Sequence, residues 1–414
     1  MKTQAQKVKH SNVAELDFAD PAVDDLLKFS IRQQLESLAQ QQLSQAERKL
    51  KLQQSFTQAM TAVLTDSVTV HEQLTALFTD MYDQAMLSMA QAALSQDVLT
   101  RQYVSATGLI MSPLNCSTTI KDIYRIRGFV RGLDKAIKAK LSNRKQVRLL
   151  YPACGPFAPL LLPLLQYYQD EGGVDSSQLK VVLVDIQPGA IQSLHQLVKD
   201  LNVSDYVEAI VEADATQYEP QGAIDILLLE ALQHGFTQEG QLSIARHQVQ
   251  FLSLDGFLVP QSISVQAIMV HGDTEFNQQW QSAAYTHSSN LSAREQRVEL
   301  GEILHISKTA LIAMQPITLS GDIEVVQAGT LLLPDGVTDM PERILAIYAR
   351  IHAFGDEVVD EYDSGITHPL PDMTFYVDAT PSVPDNKYFV ARGGERVGFY
   401  YQLSGLPRFI PVKA

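Results

Sequence analysis

The sequence predicts an α/β protein in three parts: an N-terminal helical region over 1–100, an open sheet domain over 101–258, and an antiparallel β domain over 259–414. Three observations carry this. Residues 22–100 hold no Gly or Pro and are rich in Gln, Leu, Ala and Ser, a composition that favours uninterrupted helix. Residues 101–258 alternate strand-like and helix-like runs, the pattern of a parallel sheet flanked by helices. After Gly256 the runs become short and β-branched or aromatic.

In the first part, apolar positions recur near the helical period from Leu26 and Leu27 through Leu35, Leu38, Leu50 and Leu64, and Asp66-Ser67 divides the region into two long helices. Their glutamine-rich faces are expected to be solvated, to self-associate or to cap a pocket. The second part contains the apolar runs Val147 to Tyr151, Val181 to Val184, Val207 to Val211 and Ile224 to Leu229. The third has Ile263 to Val270, Ile323 to Leu333, Ile344 to Ile351 and Met373 to Val377, and a hairpin is expected over Tyr388 to Leu403, turning at Gly393-Gly394. The polar stretch Glu275 to Leu300, with the one tryptophan, Trp280, is expected to interrupt the β domain with helix.

Composition narrows the function. At roughly 150 residues per domain, 414 residues suggest two or three domains, and 45 % hydrophobic residues suffice for their cores. Two cysteines make no disulfide framework, and the amino terminus lacks a charged segment followed by an apolar one, so a reducing, cytoplasmic setting is expected. The apolar stretch around Leu160 to Leu165 is short and carries Pro159 and Pro163, so no membrane span is expected. A formal charge of −15 without a lysine or arginine block disfavours nucleic acid and suits cationic or zwitterionic substrates.

The strand ends carry the chemistry. The first run opens into Pro152-Ala153-Cys154-Gly155-Pro156; Gly155 permits close approach of a ligand to the backbone, and Pro156 is expected in the first turn of a helix whose amino terminus attracts a carboxylate. The G-x-G-x-x-G of dinucleotide sites is absent. Asp185, ending the second run, can accept from ribose hydroxyls, and Asp214 from an adenine amino group; each is equally an ordinary turn acid when taken alone. Glu230 ends the fourth run, and Glu239 follows nine positions later across Gln233-His234-Gly235. Two inward carboxylates could hold a guanidinium or ammonium bidentately, and partial desolvation would raise one pKa and supply a proton acceptor. Cys116 and Cys154 lack paired Cys or His spacing, so no metal is expected.

In this order the features resemble the class I S-adenosylmethionine-dependent methyltransferases, more particularly the protein arginine methyltransferases, whose Rossmann-like nucleotide domain is followed by a β-barrel-like domain. The resemblance runs from about Thr118 to Val377. Lys121-Asp122-Ile123-Tyr124-Arg125 is similar to the family's K-D-x-x-R element, Glu230 and Glu239 match the spacing of its double-glutamate loop, Leu254-Asp255-Gly256-Phe257-Leu258-Val259-Pro260 looks like its passage into the barrel, and Thr367-His368 followed by Phe375-Tyr376 resembles its Thr-His-Trp loop. The resemblance implies S-adenosyl-L-methionine as cofactor, with Arg125 clamping the methionine carboxylate and Ala153, Gly155, Asp185 and Asp214 completing its site. It implies Glu230 and Glu239 as the acceptor clamp, His368 as an orienting or proton-relaying group, and a homodimer. Departures are equally specific: Tyr151 stands where an acid is usual, Ala153 and Phe157 replace two loop glycines, and Pro369 replaces the loop tryptophan. These tilt the expected acceptor from peptidyl arginine toward a small guanidine or amine. They also leave open a non-catalytic scaffold, or methylation of carbon or oxygen.

Overall fold

A computed structural model describes residues 43–281, 294–319, 321, 323–383 and 385–414. The leucines expected to be helical before residue 43 lie outside them. The chain divides into two compact units, Met1–Lys51 and Leu52–Ala414. Among the described residues of the first, Ser44 and Glu47 cap the helix Gln45–Thr65 reciprocally: Ser44 N donates to Glu47 Oε2 at 2.8 Å and Glu47 N to Ser44 Oγ at 3.3 Å.

In the second unit, Asp66, at φ 50°, follows this helix and His71–Gln91 comes next, so the break falls at the expected acid. Buried Phe56, Met60 and Val63 recur at helical spacing along the first helix and Leu74, Phe78 and Met81 along the second, and all join the main core. A small antiparallel ribbon, β1 (Tyr103–Val104) and β2 (Leu109–Ile110), leads to the long helix Ile123–Leu141, whose first turn Asp122 caps by accepting from Arg125 N.

Five parallel strands follow: β3 (Val147–Pro152), β4 (Leu179–Asp185), β5 (Val207–Glu212), β6 (Ile224–Leu228) and β7 (Leu252–Val259). Their order in the sheet is β5-β4-β3-β6-β7. β3, β4 and β6 are almost wholly buried, which explains their unbroken apolar runs. The order reverses between β3 and β6, and such a point opens a crevice at the carboxyl edge of the sheet. One expectation fails beside it. The helix after β3 spans Leu162–Glu171, with Pro163 rather than Pro156 in its first turn; Ala153, Gly155 and Ala158 at positive φ coil residues 153–161 into turns first, so no helix amino terminus sits at Pro156.

β7 ends at Val259 and β8 (Ser262–Val270) opens the antiparallel part. The helix Gly272–Gln281 includes Trp280, and β9 (Val298–Ser307) pairs with β8. Next come β10 (Pro316–Thr318), β11 (Glu324–Leu332), β12 (Ile344–Phe354), β13 (Glu357–Val359), β14 (Leu370–Asp372), β15 (Phe375–Val377), β16 (Phe389–Ala391), β17 (Arg396–Gln402) and β18 (Arg408–Lys413). One sheet runs β13-β12-β8-β9 with β14 also on β12, another β10-β11-β17-β18, and β15 pairs with β16. Among the described residues no ladder closes these sheets into a barrel. The expected hairpin over Tyr388 to Leu403 is also absent: Gly393-Gly394 do turn, but β16 pairs parallel with β15, whereas β17 pairs with β11 and β18. Local turn residues fixed the reversal, and long-range pairing chose the partners.

Gly128 and Gly132, one turn apart on the Ile123–Leu141 helix, let it approach the antiparallel part. A Cβ at Gly128 would lie 2.7 Å from Val359 Cγ2, and one at Gly132 2.9 Å from both Ala353 Cβ and Phe354 N. Arg131 pairs with Glu357 at 3.0 Å alongside. The helix that begins with Asp122 and Arg125 is thereby seated on β12 and β13. No helix among the described residues is long and apolar enough to cross a membrane.

Candidate active site

Two adjoining cavities lie over the crevice. The first is lined by Asp185, Ile186 and Gln187 after β4, by Asp214 and Thr216 after β5, by Ala153, Gly155 and Pro156 after β3, and by residues 107–111 of the ribbon. The second is lined by Arg125, Tyr151, Glu230, Gln233, Asp122 and Thr118 among others. Met111, Cys116, Ala153, Gly155 and Glu239 line both, so Glu239 stands on the wall between them.

The first cavity has a fixed acid. Asp185 is buried, its Oδ2 accepts from Gly155 N and its Oδ1 from Gln187 N, both at 2.8 Å. Burial pushes its pKa up while these two N–H groups pull the other way. Gly155, at φ 66°, turns its amide to Asp185, and each carboxylate oxygen keeps a lone pair for a hydroxyl. Asp214 Oδ1 is engaged by Thr216 N at 2.8 Å and Thr216 Oγ1 at 2.7 Å, a local turn that leaves Oδ2 as the oxygen for a ligand.

The second cavity is ionic. Arg125 Nη2 donates to Glu230 Oε2, and both side chains are nearly buried, at 12 % and 2 % exposure. Glu230 Oε1 and Arg125 Nε are buried without a hydrogen-bond partner among the described residues. Buried polar atoms left over in this way are costly unless a ligand or water meets them, and here they offer one acceptor and one donor beside a cavity. Burial raises the Glu239 pKa, an effect that a hydrogen bond from Gln233 partly offsets. The Cys116 thiol is pushed up by burial and then by Glu239 and Asp185, which keeps it protonated and a poor nucleophile.

Glu239 is held by a backbone clasp. Leu109 N donates to Gln238 O at 2.8 Å, Gln238 N to Pro407 O at 2.9 Å, and Gly405 N to Ala106 O at 2.7 Å, which stitches the ribbon, the acid loop and the β17–β18 turn together. Gly108 and Gly240 make this possible, since a Cβ at Gly108 would lie 2.6 Å from Gly240 N. Gln187, buried, adds bonds from Nε2 to Arg101 O at 2.7 Å and Met111 O at 2.9 Å.

The sequence-predicted residues divide accordingly. Arg125, Ala153, Gly155, Asp185, Asp214, Glu230 and Glu239 meet at the paired cavities. His368 lines neither. His368 follows the short helical turn Gly365–Thr367, with its ring 5.3 Å from that of Tyr362, and burial lowers its pKa against the pull of Asp122. The turn is tied to the Arg125 segment instead through Ser364, whose Oγ donates to Asp122 Oδ2 at 2.5 Å. Of the departures, Phe157 is buried in the core and lines neither cavity, whereas Tyr151 is buried and forms part of the second wall. Sequence reading missed Met111, Gln187, Gln233 and the glycine pair; of these only Gly240, placed directly after Glu239, left a signal, since a glycine beside a candidate acid suggests close backbone approach. Among the described residues no group of three or more His, Cys, Asp or Glu is placed to hold a metal.

No family model matches the sequence, and no curated protein does. Among solved structures, the chain is similar to the Trypanosoma brucei PRMT1 enzyme-prozyme heterotetrameric complex with AdoHcy, at a TM-score of 0.37 and 14 % identity, over 71 % of this chain and 96 % of that one.

Proposed function

We propose that the protein is an S-adenosyl-L-methionine-dependent N-methyltransferase acting on the guanidine or amine of a small molecule. The observation that carries this is the shared wall: a cavity with a nucleoside-suited acid, Asp185, adjoins one with an arginine and two glutamates, and Glu239 faces both. The residues fit the cofactor. Asp185 retains acceptor capacity for ribose hydroxyls, Asp214 Oδ2 for an amino group, and Arg125 Nε remains a buried donor for a carboxylate. When bound, the cofactor supplies an electrophilic methyl group on a sulfonium.

The chain's own residues then do three things. Glu230 and Glu239 concentrate negative charge where a cationic acceptor enters, which draws the positive charge of a guanidinium away from the attacking nitrogen. Burial raises the proton affinity of Glu239, which suits it to accept the proton that the acceptor nitrogen must shed. Tyr151, Leu232 and Ile366 line the second cavity and limit the water that competes for that nitrogen.

Two measurements test the proposal: calorimetry with S-adenosylhomocysteine, and a labelled-methyl transfer screen across small guanidines, amines, free arginine and arginine-rich peptides. Binding with transfer to a small guanidine or amine is expected. Transfer to peptides alone overturns the substrate class, and no binding of S-adenosylhomocysteine overturns the enzyme in favour of a scaffold.

A further inference from the structure

We infer that Gln241 is a positioning residue that fixes Glu230 and ties it to Glu239; this rests on the reading of the two acids as the acceptor clamp. The ladder of β6 with β3 ends at Leu227 and that with β7 at Leu228, after which Leu229 N makes one further bond, to Val259 O at 2.9 Å. The two peptide groups flanking Glu230 turn instead to a single side chain. Ala231 N donates to Gln241 Oε1 at 2.7 Å, and Gln241 Nε2 donates to Leu229 O at 3.3 Å. Gln241 is buried at 2 % exposure and lines neither cavity, so it touches neither ligand and acts through Glu230.

The chemistry requires an amide. One planar group must donate and accept at the spacing of a peptide, as a neighbouring strand would. With both flanking peptides held, the direction of the Glu230 carboxylate depends on its own rotamer and on Arg125. Gln241 also opens the helix Gln241–Gln248 two residues after Glu239, and between them a Cβ at Gly240 would lie 3.1 Å from Thr107 O. The segment Glu239-Gly240-Gln241 has little freedom, so the clasp on Glu230 sets the separation of the two acids.

Gln241→Met keeps the length and removes the hydrogen bonds. The readouts are amide hydrogen exchange at Ala231 with Leu227 inside the ladder as reference, affinity for S-adenosylhomocysteine, kcat and KM for methyl transfer, and the carbon-13 titration curve of the Glu230 carboxyl, which Gln241→Met is expected to displace. Exchange at Ala231 is expected to quicken about tenfold relative to Leu227, the loss of one hydrogen bond, with cofactor affinity held and kcat/KM for the acceptor down about 30- to 100-fold, the effect of a clamp misplaced by a fraction of an ångström. Gln241→Glu, which can still accept from Ala231 and when protonated can donate to Leu229, should recover part of both on the acid side; it carries the same readouts if Gln241→Met does not fold. A packing role predicts a lower Tm, equal quickening at Ala231 and Leu227, and unchanged kcat/KM, and that result overturns the inference. If the wild-type protein neither binds S-adenosylhomocysteine nor transfers methyl groups, the reading of the site fails; the carbon-13 titration of the Glu230 carboxyl then still decides, and a curve unchanged by Gln241→Met overturns the inference separately.

Discussion

Glu230→Gln tests the acceptor clamp most directly, because the substitution removes a charge and almost no volume. Arg125 loses its anionic partner but keeps a neutral acceptor for Nη2, so the stability cost is the difference between a charge-assisted and a neutral hydrogen bond, about 1–2 kcal/mol. Full removal of one partner from a pair this buried, at 12 % and 2 % exposure, would cost about 3–5 kcal/mol. The catalytic cost should be larger. An anion aimed at a reacting cation in a partly dehydrated site is worth about 3–4 kcal/mol, by analogy with one oxyanion donor, and that corresponds to roughly 100- to 1,000-fold in rate. Arg125 remains in place, so affinity for S-adenosylhomocysteine should hold or tighten as Glu230 stops competing for the guanidinium. Single-turnover transfer of labelled methyl at saturating acceptor, with calorimetry and a thermal melt on the same sample, separates the three effects. A rate within about threefold of wild type, with cofactor binding intact, would refute the clamp.

Asp185→Asn leaves only one side-chain acceptor for the N–H groups of Gly155 and Gln187, each now 2.8 Å from a carboxylate oxygen, and sets an NH2 against the other; cofactor affinity should fall about 10- to 100-fold by calorimetry, and an unchanged Kd contradicts the assignment. Burial raises the Glu239 pKa in the folded state, so its protonated form contributes stability below the unfolded glutamate value of about 4.3, and that contribution is lost as pH rises through the folded value. Glu239→Gln should therefore raise Tm at neutral pH and flatten its decline above the acid range, and it should also abolish the acid limb of the transfer rate; melts that superpose on wild type at every pH would contradict this. Gly132→Ala places a Cβ 2.9 Å from Ala353 Cβ and Phe354 N; overpacking of about 1–3 kcal/mol outweighs the gain in helix propensity of roughly 1 kcal/mol, so denaturant melts should show a net loss, and a gain would mean that β12 yields.

The parallel sheet was legible because its buried strands are continuous apolar runs, each ended by a polar or turn residue: Val181 to Val184 by Asp185, and Ile224 to Leu229 by Glu230. Burial of β4 and β6 enforces that pattern, so strand ends and candidate ligands could be read together. The helix start after β3 was not legible. Gly155-Pro156 has the local chemistry of a helix entry, yet Ala153 and Ala158 at positive φ spend further residues in turns, and alanine gives no advance sign of that conformation. The false hairpin at Gly393-Gly394 has the same origin, since a turn signal specifies a reversal and not which strands pair after it.

The acid wall has a longer-range cause. Glu239 was visible as a residue, but what fixes it comes from three stretches far apart in the chain: the ribbon near Leu109, its own loop at Gln238, and the β17–β18 turn at Gly405 and Pro407. Each contributes backbone groups, and backbone hydrogen bonds leave no residue-type signature except where a side chain would intrude, as at Gly108 and Gly240. The same ribbon roofs the first cavity through Gly108, Leu109 and Met111. A ligand that presses on that roof therefore bears on the segment that carries Glu239, and through Gln241 on the peptides that hold Glu230. One short stretch, Gln238 to Gln241, thus places Glu239 on the wall that the two cavities share and Gln241 on the peptides flanking Glu230.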